Sequence, residues 1–439
     1  MDIEKLKQKI LDLAIRGKLV PQDPNDEPAS VLIEKIRKEK EELIKQGKIK
    51  RDKNESYIYK GSDNCYYEKI GNSNTKLNLP IIPNNWTWVR LLTISNKIQY
   101  GLGYPSAKEG NNKYLRITDI QNNKVDWTSV PFINIKEDEQ QYLLENNDIV
   151  FARTGATVGK SYLVFNPPKN ATFASYLIRV ELTNKKIAKY INYFFKSKQY
   201  WNQIIDKSVG SGQPNCNGTK LSSLLIPIPP IKELCNIVDR LDNMLPKIDN
   251  IISEKDNLNN IIDKIKVKIL DFYFGDDSCY KSYYENKLTL GDVLYYEQPW
   301  KYTVESTNYD NSYNTPVLTP GKTFILGYTN ETTGIYDVGK SKVIIFDDFT
   351  TASRLVDFNF KVKSSAMKIL TSVNLDKFNI EYIFYLLKTI NVISNTHKRY
   401  WISEYMPICV NIHTINEQKK IVNKINTMFT ILNSMSNSI

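Results

Sequence analysis

The sequence predicts an α+β fold in which two mixed α/β globular domains are separated by a pair of long antiparallel helices, closed into a circular arrangement with pseudo-two-fold symmetry. Three observations lead there: an internal repeat, a very long amphipathic helix between its two copies, and a short helical motif that recurs near the N-terminus but is missing from the C-terminal helix.

The repeat is clearest where each copy ends in a short apolar strand, a turn and a charged amphipathic helix. PIKELCNIVDRLDNM (Pro230 to Met244) sets against TINEQKKIVNKINTM (Thr414 to Met428), with Ile231/Ile415, Glu233/Glu417, Ile237/Ile421, Val238/Val422 and Met244/Met428 in register. Upstream, Tyr190 to Trp201 and Ile380 to Ile393 are both aromatic-rich helical segments, and Ser175-Tyr176 and Ser364-Ser365 fall in corresponding strand-like runs. Trp86, Trp88, Phe194, Phe195 and Trp201 have the spacing of core residues.

After the first copy, apolar residues recur at Leu234, Ile237, Leu241, Met244, Ile248, Ile251, Leu258, Ile262, Ile265, Ile269 and Phe272, the alternating spacing of a coiled-coil seam. Pro246 is expected to kink this helix, or to end one helix and open another. A continuous helix over 231–274 would span about 66 Å and needs a partner. KVKILD (Lys266 to Asp271) near its end recurs as KQKILD (Lys7 to Asp12), whereas the helix from Ile415 stops at Ile439 without such a segment. The C-terminal helix and the N-terminal piece together would then line the central helix antiparallel. Chance recurrence of an ordinary amphipathic turn is the alternative. The expected layout is an N-terminal helical segment over 1–53 that completes the distal helix, a linker over 54–80, a first domain over 81–229, the central helix over 230–275, a second domain over 276–411 and the C-terminal helix over 412–439. Within the first segment, Val20 to Pro28 is a Pro/Asp turn region and Val31 to Lys53 a helix followed by a basic stretch.

With 439 residues, 41% of them hydrophobic, the chain can build two to four domains with cores of their own. The balance of 59 Lys+Arg against 48 Asp+Glu gives a formal charge of +11, which favours a polyanionic partner such as nucleic acid. Five scattered cysteines without a C-x-x-C pair suggest neither a disulfide framework nor a zinc ribbon. The N-terminus reads as an amphipathic helix rather than a signal peptide, and no run approaches the ~18 apolar residues of a membrane span. A cytoplasmic protein without membrane contact is expected.

ILDLAIRGKLVPQDPNDEPA (Ile10 to Ala29), NNWTWVRL (Asn84 to Leu91) and IPIPPIKELCNIV (Ile226 to Val238) resemble the specificity subunits of type I restriction-modification systems, and the resemblance spans nearly the whole chain. It implies two target-recognition domains held apart by two spacer helices, each reading one half of a split DNA site, while DNA methyltransferase and restriction endonuclease/translocase subunits supply the catalysis. It also implies that two methyltransferase subunits dock on the outer faces of the helix pair, one per pseudo-symmetric half. The displaced helix matches that circular arrangement. The chain departs from the commoner pattern at Leu234-Cys235, where Glu-Gln usually follows the prolines; Glu417-Gln418 keeps it in the second copy.

Several motifs point toward chemistry and fail on context. RTGATVGKS (Arg153 to Ser161) is near a P-loop but lacks a glycine at Thr154, and Tyr162 to Phe165 reads as a strand where a phosphate-binding helix is needed. PVLTPGKT (Pro316 to Thr323) fails likewise. Asn166-Pro167-Pro168-Lys169 lacks the aromatic of an amino-methyltransferase motif and fits a turn. Asp347-Asp348 with Lys361 and Lys363 has no compact metal-site spacing, and His397 and His413 are the only histidines. No catalytic residue, cofactor or metal is expected.

The expected DNA contacts are polar and aromatic loop residues. In the first domain these are Gln99, Tyr100, Gly103, Tyr104, Arg116, Thr118, Arg153, Thr154, Thr157, Lys160, Ser175, Tyr176, Ser211, Gln213 and Asn215. In the second they are Lys301, Thr319, Lys322, Thr323, Tyr328, Thr350, Thr351, Arg354, Lys363, Ser364 and Ser365. Arg forks to guanine and Gln or Asn to adenine, while glycines let backbone amides approach phosphate. If the helix pair is a ruler, four residues inserted after Lys264 would add about 6 Å, nearly two base pairs, to the gap. A stand-alone sequence-specific DNA-binding regulator is the main alternative reading, and a cryptic methyltransferase or nuclease a further one.

Overall fold

The structure is a computed structural model that describes residues 2–52, 55–206, 216–275, 288–319, 323–339, 341–390, 392 and 399–438. The chain divides into two compact units, Met1–Ile252 and Ser253–Ile439.

The first unit opens with α1 (Ile3–Ile15) and α2 (Ala29–Lys45), followed by β1 (Ser56–Lys60), β2 (Tyr66–Ile70), β3 (Ser73–Leu77) and β4 (Thr87–Arg90). Next come β5 (Ser95–Tyr100), β6 (Asn112–Leu115), β7 (Ile120–Gln121), β8 (Lys124–Val125) and β9 (Phe132–Ile133). β10 (Ile149–Ala152), β11 (Ser161–Leu163), β12 (Ala171–Phe173) and β13 (Leu177–Leu182) complete the sheets, and α3 (Ala188–Phe194), α4 (Lys198–Asp206), α5 (Gly218–Ser222) and β14 (Leu225–Ile228) lead into α6 (Ile231–Phe274). An antiparallel sheet has the order β5-β13-β10-β11. A second sheet, β9-β6-β12, pairs β6 with β12 in parallel, and β4 pairs antiparallel with β14. Every residue of β10 is buried, which is why Ile149 to Ala152 reads as an unbroken apolar run instead of alternating.

Within 54–80, expected to be a linker, residues 56–77 instead fold as the antiparallel meander β1-β2-β3. Tyr66 and Glu68 of β2 are buried, and Glu68 takes a forked ion pair from Arg90 on β4. The outer face keeps the Ser, Asn, Lys and Tyr that disguised the strands, with Tyr59 stacked on Tyr67 at 5.9 Å.

The three stretches that carry the resemblance meet at one buried carboxylate. α1 ends before Gly17, whose φ of +67° is left-handed and where a Cβ would lie 2.5 Å from Pro83. Gln22 Nε2 then donates to the Gly17 carbonyl (3.1 Å) and to Glu233 in the first turn of α6. Trp86 Nε1 donates to the other Glu233 oxygen at 2.9 Å, and Ala29 N donates to the Asn85 carbonyl at 2.9 Å. Burial is the largest influence on Glu233 and raises its pKa, against the lowering effect of the Trp86 and Gln22 hydrogen bonds. An acid raised in this way contributes stability that is whole below the ordinary glutamate value and is lost as pH rises through the shifted one. Glu233→Gln keeps an acceptor for Trp86 but turns its amide nitrogen towards the Gln22 amide, so it removes the charge at the cost of one hydrogen bond and is expected to flatten the decline of the melting temperature as pH rises from 4.5 to 7. Glu233→Ala strands the indole N–H in the core and is expected to cost about 2 kcal/mol. Thermal unfolding of both variants across that pH range checks this.

The second unit contains the rest of α6, then β15 (Leu288–Thr289), α7 (Leu290–Val293), β16 (Leu294–Glu297), β17 (Thr315–Leu318) and β18 (Ile325–Thr329). β19 (Val343–Asp347), β20 (Ser353–Val356), β21 (Lys361–Val362), β22 (Met367–Ser372), α8 (Ile380–Thr389), β23 (Cys409–Val410) and α9 (Ile415–Asn437) follow. Its three sheets repeat three sheets of the first unit; the β1-β2-β3 meander and the β7-β8 hairpin have no counterpart among the described residues. The antiparallel order β16-β22-β19-β20 answers β5-β13-β10-β11. β18-β17-β21, with its one parallel pair, answers β9-β6-β12, and β15 with β23 answers β4 with β14.

Each unit is therefore a helix, a domain and a helix. In the first, α1 runs antiparallel to the start of α6: Lys7 pairs with Asp249 near one end and Gln22 with Glu233 near the other. In the second, α9 runs antiparallel to the end of α6, where Ser436 Oγ donates to Asn259 at 2.6 Å and Lys266 lies 5.8 Å from the Phe429 ring. The two KxKILD motifs occupy corresponding places, with Leu11 and Leu270 both buried.

Within α6 the seam departs from expectation. The helix is continuous through Pro246, which removes the partner of the Asp242 carbonyl without ending the helix. Leu234, Ile237, Leu241 and Ile248 are buried as expected, but Ile251, Ile265 and Phe272 are exposed, Phe272 by 81%. Leu270, Tyr273 and Phe274 pack in the second core instead. A straight helix at 3.6 residues per turn drifts off a strict seven-residue repeat, and the two halves of α6 pack on different neighbours. The aligned glutamates also differ. Glu417 caps α9 through Thr414 N (3.0 Å) and Oγ1 (2.7 Å). The buried polar residue of that turn is Gln418, held by the carbonyls of Lys377 (2.9 Å) and His413 (2.8 Å) and by Asn379 N (2.7 Å).

Candidate nucleic-acid interface

In the first unit the expected contact residues gather around two adjoining concavities. One, of about 380 Å³, is lined by Gly103, Tyr104, Arg116, Thr118, Ser175 and Tyr176 with Ser106 and Tyr114; the other, of about 490 Å³, by Thr118, Thr157 and Lys160 with residues 120–123. Ile117 and Thr118 belong to both. The parallel pairing of β6 with β12 places the loops after Leu115 and Phe173 side by side, and this brings Arg116 to Ser175-Tyr176. Ser175-Tyr176 sits in the turn into β13 and Ser364-Ser365 in the turn into β22, corresponding positions but not strands. Tyr176 is 63% exposed.

Arg153 braces this face. Its guanidinium lies 4.9 Å from the Tyr100 ring, Nη1 donates to the Ser175 carbonyl at 3.3 Å, and its backbone N donates to the Tyr176 carbonyl at 3.1 Å. Tyr100 Oη accepts from Gly218 N at 2.9 Å, and Gln99 Oε1 accepts from the buried Arg179, so Gln99 is part of the sheet's internal network. Thr154 opens a single 3-10 turn, Gly155–Thr157, and β11 follows Lys160 where a P-loop requires a helix. Two expected contacts are already engaged by acids that sequence reasoning missed. Arg116 forks onto Asp119 at 2.8 and 3.1 Å, and Tyr104 Oη donates to Glu139 at 2.6 Å. The signal was present in Asp119 three residues after Arg116 on one turn. Ser211, Gln213 and Asn215 lie outside the described residues.

In the second unit, Thr319 N donates to the Phe324 carbonyl at 2.9 Å, beside Thr323, and Lys363 N donates to the Leu318 carbonyl at 2.8 Å, which sets Lys363 next to Thr319. Arg354, exposed on β20, holds its guanidinium 5.7 Å from the Phe324 ring. Thr350 and Thr351 form the β19-β20 turn on Asp347, Thr351 with a φ of +60°. Asp348 N donates to the Ala366 carbonyl at 3.3 Å, which places that turn beside Ser364 and Ser365. Lys301 pairs with Glu297 at 2.8 Å, and Tyr328 is half-buried in β18 opposite Pro316. Lys322 lies outside the described residues. The acid-lysine set is taken apart by its pairings: Asp348 with the buried Lys368 at 3.0 Å, and Lys361 with Glu331 at 2.8 Å. Among the described residues no group of three or more His, Cys, Asp or Glu could hold a metal ion, and no helix is long and apolar enough to cross a membrane.

Residues 91–264 match the model of the type I restriction modification DNA specificity domain. The chain is 56% identical over 120 residues, 27% of its length and 30% of the relative's, to the type I restriction enzyme EcoR124I/EcoR124II specificity subunit of Escherichia coli. It is 30% identical over 260 residues, 55% of its length and 40% of the relative's, to the EcoAI specificity subunit of the same organism. The chain thus spans well under half the length of these curated relatives. A solved structure from work on complex assembly and conformational transition of the type I R-M system shares the fold, with a TM-score of 0.55 at 14% identity over 82% of this chain and 94% of that one. Residues 91–264 thus match the type I specificity domain, and the chain is similar over part of its length to type I restriction enzyme specificity subunits.

Proposed function

We propose that this chain is the DNA-reading subunit of a type I restriction-modification complex. Each domain reads one half of a bipartite, gapped duplex site, and the chain itself carries out no chemistry. The observation that carries this reading is the duplication: one strand order occurs twice, and in both copies loops at corresponding strand ends present Arg, Lys, Thr, Ser and Tyr side chains. Two copies of one reader suit a site with two halves, because each half-site is bound through the same kind of surface. The formal charge of +11 supplies the sequence-independent attraction to the phosphate backbone.

On this reading α6, with α9 and α1 along its two halves, is the spacer of a pseudo-two-fold circular arrangement. The domain limits are those expected from the sequence, except that 54–80 belongs to the first unit's fold. Two DNA methyltransferase subunits and a restriction endonuclease/translocase are its partners, in the cytoplasm. Tagged chain recovered from source cells under native conditions is expected to carry DNA methyltransferase subunits at two per chain, measured by native mass. Recovery of the tagged chain alone, still bound to a defined DNA sequence, would favour the stand-alone regulator instead.

A further inference from the structure

The polar tip of a hairpin in the first unit is absent from the expected contact set, yet it lines the same groove. β7 and β8 are two residues each, joined by Asn122-Asn123. Both asparagines have left-handed φ, +51° and +58°, as a two-residue hairpin turn with the twist of its strands demands. Ile120 and Val125 pair across the strands and pack against the core that contains Leu115 and Val150, so the base of the hairpin is anchored while its tip is exposed. Gln121, Asn122 and Asn123 line the concavity of about 490 Å³ together with Thr157 and Lys160.

The side chains at this tip have the chemistry of base readers. Gln121 Nε2 donates to the Thr118 carbonyl at 2.8 Å, which fixes the amide along the groove and leaves its oxygen and second hydrogen available. Paired amide donor and acceptor groups match the N6 and N7 edge of adenine in the major groove, which is wide enough to admit a two-stranded ribbon. Lys124 and Lys160, both exposed, flank the tip with positive charge suited to backbone phosphates. The second unit has no counterpart among its described residues between β17 and β18.

We propose that the Gln121–Lys124 hairpin tip is a specificity-determining finger, whose amides read an adenine-containing step in the half-site of the first domain. This rests on the DNA-reading role proposed above. The test is Gln121→Ala, and separately the double variant Asn122→Gly/Asn123→Gly, in which glycine keeps the left-handed backbone and removes only the amides. Each variant, assembled with its methyltransferase subunits, is used to select duplexes from a randomised pool beside the wild type. Each is expected to lose about 10- to 100-fold discrimination at one or two positions of one half-site, with the other half-site and the gap unchanged. If the wild type selects a split site and both variants select the identical one, the finger is overturned and the DNA-reading role stands. If the wild type selects no split site, the role itself fails. Equal relaxation in both half-sites would mean a general loss of folding or affinity and would also overturn the finger, and a melting temperature matching the wild type's separates these two causes.

Discussion

Duplicating Asp249–Lys255 immediately after Lys255 is expected to move recognition to a site with a gap about three base pairs longer, and to weaken binding of the native site by about 1,000-fold or more. Seven residues add about 10 Å to a helix and return it to within about 20° of its original face. The position follows from the packing. The outermost described tie from α1 is Lys7 to Asp249 and that from α9 is Ser436 to Asn259, and among the described residues no side chain between those two points hydrogen-bonds or ion-pairs with another helix. An insertion after Lys264, which the sequence alone suggested, would fall inside the part of α6 that α9 covers and would shear Lys266 from Phe429. Site selection with the assembled complex checks the result; an unchanged gap would mean that α6 does not set the spacing.

Reversing one lysine in each domain, Lys160→Glu with Lys363→Glu, is expected to weaken binding by on the order of 100-fold at physiological salt and to lower the slope of log affinity against log salt by about 2. Both side chains are exposed, and neither makes an ion pair among the described residues; Lys363 lies 6.0 Å from the Tyr309 ring. The loss should be nearly equal for specific and non-specific DNA, because phosphate contacts position the protein without reading sequence. Titrations at several salt concentrations measure both quantities. Single reversals should each show about half the change in slope, and a double variant no weaker than either single would place one of the two lysines away from DNA.

The large-scale order was legible because it depends on periodic apolar residues. Ile237, Val238 and their partners Ile421 and Val422 exposed the duplication, and the recurrence of KxKILD led to the pairing of α1 and α9 with opposite halves of α6. α6 joins the last helix of one unit to the first helix of the next. What stayed hidden was local and polar. The meander over 56–77 carries Ser, Asn and Lys on its open face, so its strands resemble a linker. β7 and β8 are too short for any period, although Asn122-Asn123 was a turn signal in plain view. Arg116, Tyr104 and Lys301 were chosen for charge and hydrogen-bonding capacity, and the structure pairs each with an acid that composition cannot place in space: Asp119, Glu139 and Glu297. Those three would have to exchange or share their acids on binding, so they rank below Lys160, Lys363 and the hairpin amides as contacts.

The most direct test of a split-site reader is a genome-wide map of methylated bases in the source cell, with and without this gene. Loss of a single motif made of two short specified halves around a fixed unspecified gap is the predicted result. A map that does not change, or the loss of a motif without a gap, would contradict it.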